Sequence, residues 1–524
     1  MAKGGSGYSE PAGGGRKPGP VNTEFILDMQ CKLFRWSHAD PNRMFGDVFN
    51  LVCDRRTLDY AWRKLTRNRG SRTPGTDGMG RIQVEQRTGG VELFLDEIEA
   101  ELHSGTYRPQ PVRQRMIPKP GKPGKFRPLG IPTLKDRLVQ MALKLVLEPI
   151  FEADFYPTSF GFRRRRSTHD AIAMIQRQVN PGRWGNSRVA YVIEGDIKGC
   201  FDNIDHHRLM ERVRRRIRDR KVLRLVLAFL RAGIMVEATV RHPVAGTPQG
   251  GIISPLLSNI MLTAIDERYR RWTPGPHETV TSATQRRARD YNSGKATFYI
   301  VRYADDFVVL VSGSREAAEA EKDALATFLR EELRLELSPE KTLITDVRRG
   351  FDFLGYRIVK TRSARTGRFV CKLLIPLDKL QRLRDTIKAR TKRPSLRLPL
   401  SEIIDSLNPL ILGWRSYYRH AMRARREFRK LDWWLSGRIA RWLRSKHPKT
   451  VRKTLRRFFQ REPLGPMRWT DGNAQLRWFW EGATAPYPFR GTKITNGWDT
   501  VGEAWSGDRP ADFWPMLNML AAAR

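Results

Sequence analysis

The sequence predicts an α+β fold in which an antiparallel, acid-bearing sheet is followed by an all-helical region. Three stretches predict it. Residues 298–311 read FYIVRYADDFVVLV. Val301, Val308, Val309 and Val311 are β-branched, and Phe298, Tyr299, Tyr303 and Phe307 are aromatic, a composition that favours strand over helix. Asp305 and Asp306 interrupt this run as a hairpin tip would. A second apolar, β-rich run at residues 189–193 ends at Asp196. From 376 to 462 the pattern becomes helical and basic, with 25 Lys and Arg against seven Asp and Glu, which marks a separate, polyanion-facing region.

A turn between strands this apolar sits at the edge of a core. Two adjacent anions there repel each other unless a cation neutralises them. Mg²⁺ is hard and prefers carboxylate oxygen. Asp196, at the end of the other strand, is the candidate third acid. Three such carboxylates can share two Mg²⁺ ions, which in two-metal sites lie ~3.5–4 Å apart. One ion would lower the pKa of an attacking hydroxyl, and the other would hold departing pyrophosphate oxygens. That is chemistry for nucleotidyl transfer.

A chain of 524 residues is too long for one core and implies several domains. Its 96 Lys and Arg outweigh 55 Asp and Glu, a net charge of +41. An excess this large, in a chain with 14 Trp and 24 Phe, points to polyanion binding. No run of 18 or more apolar residues and no secretory segment near Met1 occur, so no membrane role is expected. Cys31, Cys53, Cys200 and Cys371 lie far apart with no CxxC pair. Neither a zinc knuckle nor a disulfide framework is suggested, and a reducing cytosol fits.

Along the chain, residues 1–21 are rich in Gly, Pro and basic side chains and are expected to be disordered. Residues 45–69 have helical spacing and end in the loop signal NRGSRTPGTDG. A helix is predicted over 91–102 and a strand over 107–117. The basic loop PKPGKPGKFRP then leads to a second strand at 129–131, making a two-stranded flap with cations near its tip. Residues 136–150 read as a helix, 162–166 as the basic cluster FRRRR, and 208–230 as helical. GTPQGGIIS (246–254) is a glycine-rich turn into a helix over 255–266; its glycines allow close approach of backbone to a ligand. The polar stretch 268–296 reads as an inserted loop, 316–335 as a helix and 351–359 as a strand pair. Helical spacing over 378–392, 401–423 and 427–446 predicts a three-helix bundle. Leu407, Leu410, Ile411, Trp414 and Tyr418 would line its inside, with Arg415, Arg419, Arg423 and Arg426 outside. The tail after 463 is loosely patterned and rich in Trp, Gly and Pro.

YADD between apolar strands, preceded by a strand ending in Asp with Phe five residues on, resembles the palm of reverse transcriptases. RPLGIPTLKDRLVQ (127–140), SFGFRRRRSTHDAI (159–172), GTPQGGIISPLLSNIML (246–262), LSPEKT (337–342) and FDFLGY (351–356) resemble successive blocks of group II intron reverse transcriptases. LNPLILGWRSYYR (407–419) is similar to the maturase block of the same family. Several blocks in order are more specific than any one motif. The resemblance spans roughly residues 58–443.

It implies a right-hand polymerase: an N-terminal extension and fingers over 22–190, a palm with an antiparallel sheet over 191–375, and an α-helical thumb and maturase domain over 376–462. The palm would carry an insertion at 268–296, and 463–524 would be a tail and a candidate DNA-binding remnant. The implied activity is RNA-directed DNA synthesis for a group II intron, joined to binding of the intron RNA and help with its splicing and mobility. Asp196, Asp305 and Asp306 would be catalytic, and with Ile197 they would form the set for two Mg²⁺ ions. Arg127 matches the family's triphosphate-contacting arginine and Lys119 its companion lysine, against the plainer reading of exposed loop cations. Phe201 matches a ring that excludes a 2′-hydroxyl, Gln249 a residue near the sugar, and Lys341 a lysine that protonates pyrophosphate. Core packing, a tight turn and a surface lysine are their plain alternatives. Arg163, Arg164, Arg165 and Arg166 would meet template phosphates. Arg415, Arg419, Arg423 and Arg426 would grip RNA, since arginine suits phosphate and stacks on bases.

Implied partners are intron RNA, an RNA template with DNA or RNA primer, dNTPs and target DNA, in a bacterial-type cytosol near the nucleoid; a homodimer is left open. No Cys follows Cys371 and no His follows His447, so the HNH endonuclease found in many relatives is not expected. Two alternatives stand beside this reading. One is a domesticated relative in repair or defence; the other is a non-catalytic RNA-binding splicing cofactor. The presence of all three acids favours the enzyme.

Overall fold

The computed structural model describes residues 21–118, 124, 126–180, 188–236, 239–241, 246, 250–461, 465–491 and 494–498. Residues 1–20 of the expected disordered tail lie outside them, as do Lys119 and Gln249.

The N-terminal half is built on the helix Leu134–Glu152, which is buried on every side. Its buried polar side chains are hydrogen-bonded, Asp136 to Tyr107 and Arg137 to the Gly70 and Thr73 carbonyls, and the helices Val21–Ala39, Phe49–Cys53 and Arg55–Thr66 pack against it. The single helix expected over 45–69 is thus two, broken at Asp54, whose carboxylate accepts the Arg56 N–H. A hairpin follows, Val112–Pro118 with Phe126–Ile131, in antiparallel register with Ile117 opposite Arg127. Ile234–Val236 and Thr239–Arg241 extend it to four strands. The first strand begins five residues later than its spacing predicts. Tyr107 Oη and the Gln110 N–H both donate to buried Asp136, so this stretch is tied to the central helix instead.

The acid-bearing sheet has the order Thr297–Tyr303, Asp306–Ser312, Tyr191–Asp196, Leu343–Asp346, all antiparallel. Its strands read as continuous apolar runs because both faces are covered. Ile193, Ile300 and Val309 face one core, and Val192, Val301, Val308 and Leu310 face the other. The helix Ser254–Arg268 is tied to it where Asp266 and Asn259 accept from Arg302, and Arg315–Leu333 packs against its middle.

Residues 268–296 are not a plain loop. They contain the helix Val280–Asn292, whose buried Asp290 accepts from Arg271 Nε at 2.6 Å and Trp272 Nε1 at 2.9 Å. The helix is polar almost all round, so it gave no apolar stripe to read. A second sheet, Phe351–Phe353, Tyr356–Arg362 and Phe369–Leu374, leads into the helices Leu377–Arg390, Leu400–Tyr418 and Ala424–Lys446. Leu407, Ile411, Trp414 and Tyr418 are buried among them. The helix expected to run to 423 stops at Tyr418, and the chain turns through Arg423, at φ 60°. Beyond 463 the chain packs back on the molecule. Trp469, Leu476, Trp478 and Phe479 enter the core of the helical region, and Trp498 is buried beside Phe34 and Ala153.

Candidate active site

The tip of the central hairpin is a two-residue turn, with Tyr303 opposite Asp306 and Ala304 and Asp305 between them. Ala304 has φ 58°, in the left-handed region that such tight hairpin turns require. The turn is braced from behind. The Phe160 N–H donates to the Arg302 carbonyl, and the Arg302 N–H to Thr158, both at 2.9 Å. Gly161 lies flat against the tip: a Cβ there would stand 2.3 Å from the Ala304 nitrogen. The fully buried Arg302 guanidinium forks onto equally buried Asp266 and donates to Asn259 Oδ1 at 3.0 Å and to the Ala304 carbonyl at 3.1 Å. Asn259 in turn donates to the Gly161 carbonyl at 2.8 Å.

Asp196 stands directly opposite Asp306 on the neighbouring strand. Residues paired in this way project to the same face, so position 196 faces the tip that carries 305 and 306. Burial raises the Asp305 carboxyl, and the charge on Asp196 adds to it. Asp306 is pushed up to about 6. Although its side chain opens to the cleft mouth, the protein around it thins its hydration, and repulsion from Asp305 and Asp196 adds to that. Lys341 Nζ lies 2.6 Å from Asp196 Oδ2. It is delivered there because residues 336–338 pair with the chain just past Asp196: Ser338 N–H to the Asp196 carbonyl at 2.8 Å, and Lys198 N–H to the Glu336 carbonyl at 2.9 Å. The Ile197 side chain is buried and carries no donor atom, so any part it takes in holding a ligand would be through its main chain. Among the described residues no three His, Cys, Asp or Glu side chains close into a metal-binding group. The aspartates meet instead as a mutually repelling set of hard oxygen donors, and that donor chemistry suits a divalent cation.

The other walls of the cleft come from the hairpin and the glycine-rich turn. Arg127 is exposed on the hairpin, and its charge lowers the pKa of both Asp305 and Asp306. Gly250, at φ 121°, lies so close to the hairpin that a Cβ would stand 2.3 Å from the Gly130 carbonyl oxygen. Gly246, at φ 101°, sits as closely on the carbonyl of Asp202, in the short helix Cys200–Asn203. That helix carries Phe201, half-buried and edge-on to Phe162 at 6.2 Å between centroids. Gly250 and Gly246 thus touch the Arg127 hairpin and the Phe201 helix respectively.

Comparison with known proteins agrees with this geometry. Residues 117–358 match the reverse transcriptase (RNA-dependent DNA polymerase) family, and residues 380–459 match the group II intron maturase-specific domain. The chain is 37% identical to protein YkfC of Escherichia coli strain K12 over 373 residues, 70% of this chain and 96% of that protein. It is 34% identical to the group II intron-encoded protein LtrA of Lactococcus lactis subsp. cremoris over 491 residues, 82% of this chain and 79% of that one. The chain belongs to the group II intron reverse transcriptase and maturase family. It is thus an RNA-directed DNA polymerase in a family that generally uses divalent metal ions. No helix among the described residues is long and apolar enough to cross a membrane.

The arginines expected to hold RNA divide sharply in this reverse transcriptase. Arg163 is buried, forks onto Glu152 and donates to the carbonyls of Tyr156 and Ser159 at 2.6 Å each. It is a core ion pair, which corrects its expected place on template phosphates. Arg164 lies over the Trp498 ring at 4.9 Å, Arg165 donates to Thr495 Oγ1 at 3.0 Å, and half-buried Arg166 donates to the Pro157 carbonyl at 3.2 Å. Arg164 and Arg165 therefore hold the C-terminal tail. Arg415 is half-buried, donating to the Trp478 carbonyl at 3.2 Å and pairing with Glu481. Arg419, Arg423 and Arg426 are exposed. Reading the sequence missed the Arg302–Asp266–Asn259 brace. Its signal was present: a lone arginine inside an otherwise apolar strand has to find a buried partner.

Proposed function

We propose that this reverse transcriptase extends a primer on an RNA template with two Mg²⁺ ions held by Asp196, Asp305, Asp306 and the main-chain oxygen of Ile197. The observation that carries the proposal is the register of Asp196 against Asp306, with Asp305 in the adjoining turn. When bound, the Mg²⁺ pair would lower the pKa of the primer 3′-hydroxyl and offset charge on the departing pyrophosphate. Arg127 binds the triphosphate from the hairpin side. Phe201 lies under the sugar and excludes a 2′-hydroxyl by its bulk. Lys341 holds a proton at Nζ beside Asp196 for the leaving oxygen. In this reading residues 22–190 are the N-terminal extension and fingers, 191–375 the palm and 376–462 the thumb and maturase domain. Arg419, Arg423 and Arg426 offer phosphate contacts to intron RNA and to the template–primer duplex. Target DNA is a further partner, and the reading places the protein in a reducing cytosol.

Asp305→Ala tests the proposal in a primer-extension assay on an RNA template with Mg²⁺. Synthesis should fall to background while RNA binding stays within twofold or so of wild type. Undiminished synthesis would remove Asp305 from the metal set.

A further inference from the structure

The helix Ala424–Lys446 displays a feature that catalysis leaves unexplained. Trp433 is 82% exposed, the highest exposure of any aromatic side chain among the described residues. It lies in an open groove of about 820 Å³ whose other walls are all basic or aromatic: Arg384, Arg425, Arg429, Lys430 and Trp434, together with the Arg423 and Arg426 already read as RNA contacts. Arg429, Lys430 and Trp433 recur at helical spacing and so share a face. The nearby Glu427 is paired with Lys430 at 2.9 Å. Arg425 and Arg429 have no acidic partner among the described residues. Arg384 reaches in from the helix Leu377–Arg390, its guanidinium 5.9 Å from the Trp434 ring, and its buried Nε has no hydrogen-bond partner among the described residues. Arg425 also sits in the first turn of its helix, where cations oppose the helix dipole. The arrangement leaves exposed guanidinium groups without an acid among the described residues, beside a flat apolar ring open to solvent.

We propose that this groove binds an unpaired RNA nucleotide, its base stacked on Trp433 and its flanking phosphates on Arg425, Arg429 and Lys430. This rests on the reading of residues 376–462 as the RNA-binding maturase region. A duplex would offer the cations phosphates but no base face to the indole. Single-stranded loops and bulges offer both, and stacking on aromatic rings is how such bases are held. RNA rather than DNA is favoured because the groove lies wholly within residues 380–459, the group II intron maturase-specific match.

The test measures binding of the full chain to three probes of equal length, single-stranded RNA, fully paired RNA and single-stranded DNA, across a salt series. Trp433→Ala should weaken single-stranded RNA binding by roughly 5- to 100-fold. It should leave duplex affinity, salt slope and melting temperature unchanged, and Trp433→Phe should restore most of the loss. Replacing Arg425, Arg429 and Lys430 together by Gln should flatten the single-strand salt slope by about 2. If Trp433→Ala binds single-stranded RNA like wild type while the triple variant loses affinity, stacking is overturned and the RNA-binding face survives. If neither variant changes RNA binding, the maturase-face reading falls with it. Tighter binding of the DNA probe than of the RNA probe would overturn the choice of RNA.

Discussion

Replacing Gly195 by alanine probes the packing that sets the acids proposed as catalytic. Gly195 precedes Asp196 and stands opposite Phe307, which follows Asp306. The Phe307 ring lies across the glycine: a Cβ at 195 would stand 2.1 Å from its Cζ, 2.3 Å from Cε2 and 2.7 Å from Cε1. Carbon atoms in contact sit ~3.5–4.0 Å apart, so ring or strand must move by more than an ångström. The ring has nowhere to go, being 1% exposed and packed in the core. Overpacking of this kind costs ~1–3 kcal/mol. The displacement falls on the residues that join Asp196 to Asp306, and a misplacement of about 1 Å near reacting groups can cost ~10²-fold in rate. Gly195→Ala should therefore lower primer-extension kcat by about two orders of magnitude, with a modest loss of melting temperature. Phe307→Leu removes the ring atoms that clash, so the double variant should regain activity relative to Gly195→Ala alone. Strict additivity of the two substitutions would refute the contact as the cause. Wild-type kcat in Gly195→Ala would refute the coupling of strand packing to the acids.

Phe201→Ala should admit ribonucleotides, lowering the dNTP-to-rNTP preference in kcat/KM by on the order of tenfold or more; an unchanged ratio places the gate elsewhere. Asp432 predicts a pH dependence of stability. Its carboxylate accepts the N–H groups of Phe479 and Trp480, at 2.7 and 3.0 Å, and so anchors the tail. Burial pushes its pKa up to about 7, the two N–H donors pull it down, and repulsion from Glu481 raises it again. The folded value lies above the unfolded one, so between about pH 4 and 7 the folded chain holds a proton that the unfolded chain releases. Stability then falls as pH rises through that window, and the loss is complete above about 7. At ~1.4 kcal/mol per unit the bound is roughly 4 kcal/mol. Urea midpoints at pH 5 and pH 8 should differ more for wild type than for Asp432→Asn, and equal differences would count against this origin.

The legible parts of this protein are local. YADD and the strand ending at Asp196 announced themselves because a strand shows its apolar run, and a turn its acids, within a dozen residues. Their convergence needed only the antiparallel pairing that such strands favour. The helix Val280–Asn292 was invisible because its stabilising contacts, Asp290 to Arg271 and Trp272, come from side chains that also suit a loop. The tail was invisible for a related reason. Its apolar residues follow neither strand nor helix period, since it crosses several elements in turn: Trp478 and Phe479 on the helical region, Arg490 and Tyr487 on Asp170, and Trp498 on Gln30 and Phe34.

The same distinction decides what the charge of +41 means. A sequence counts arginines alike, and FRRRR is its densest basic run in a block shared with nucleic-acid polymerases. Yet Arg163 is neutralised by Glu152, eleven residues away, and Arg164 and Arg165 meet tail residues more than 300 positions on. An ion pair or ring contact at that separation leaves no periodic trace. By contrast, Arg425 and Arg429 belong to a less conspicuous run and stay open to solvent, with no acid to satisfy them among the described residues. Availability to phosphate follows from what each guanidinium already holds, and local charge density is a poor guide to it. On that ground the groove proposed above, at the start of the helix Ala424–Lys446, is better placed to meet phosphate than the run at 163–166, where Arg163 is held by Glu152 and Arg164 and Arg165 by the tail.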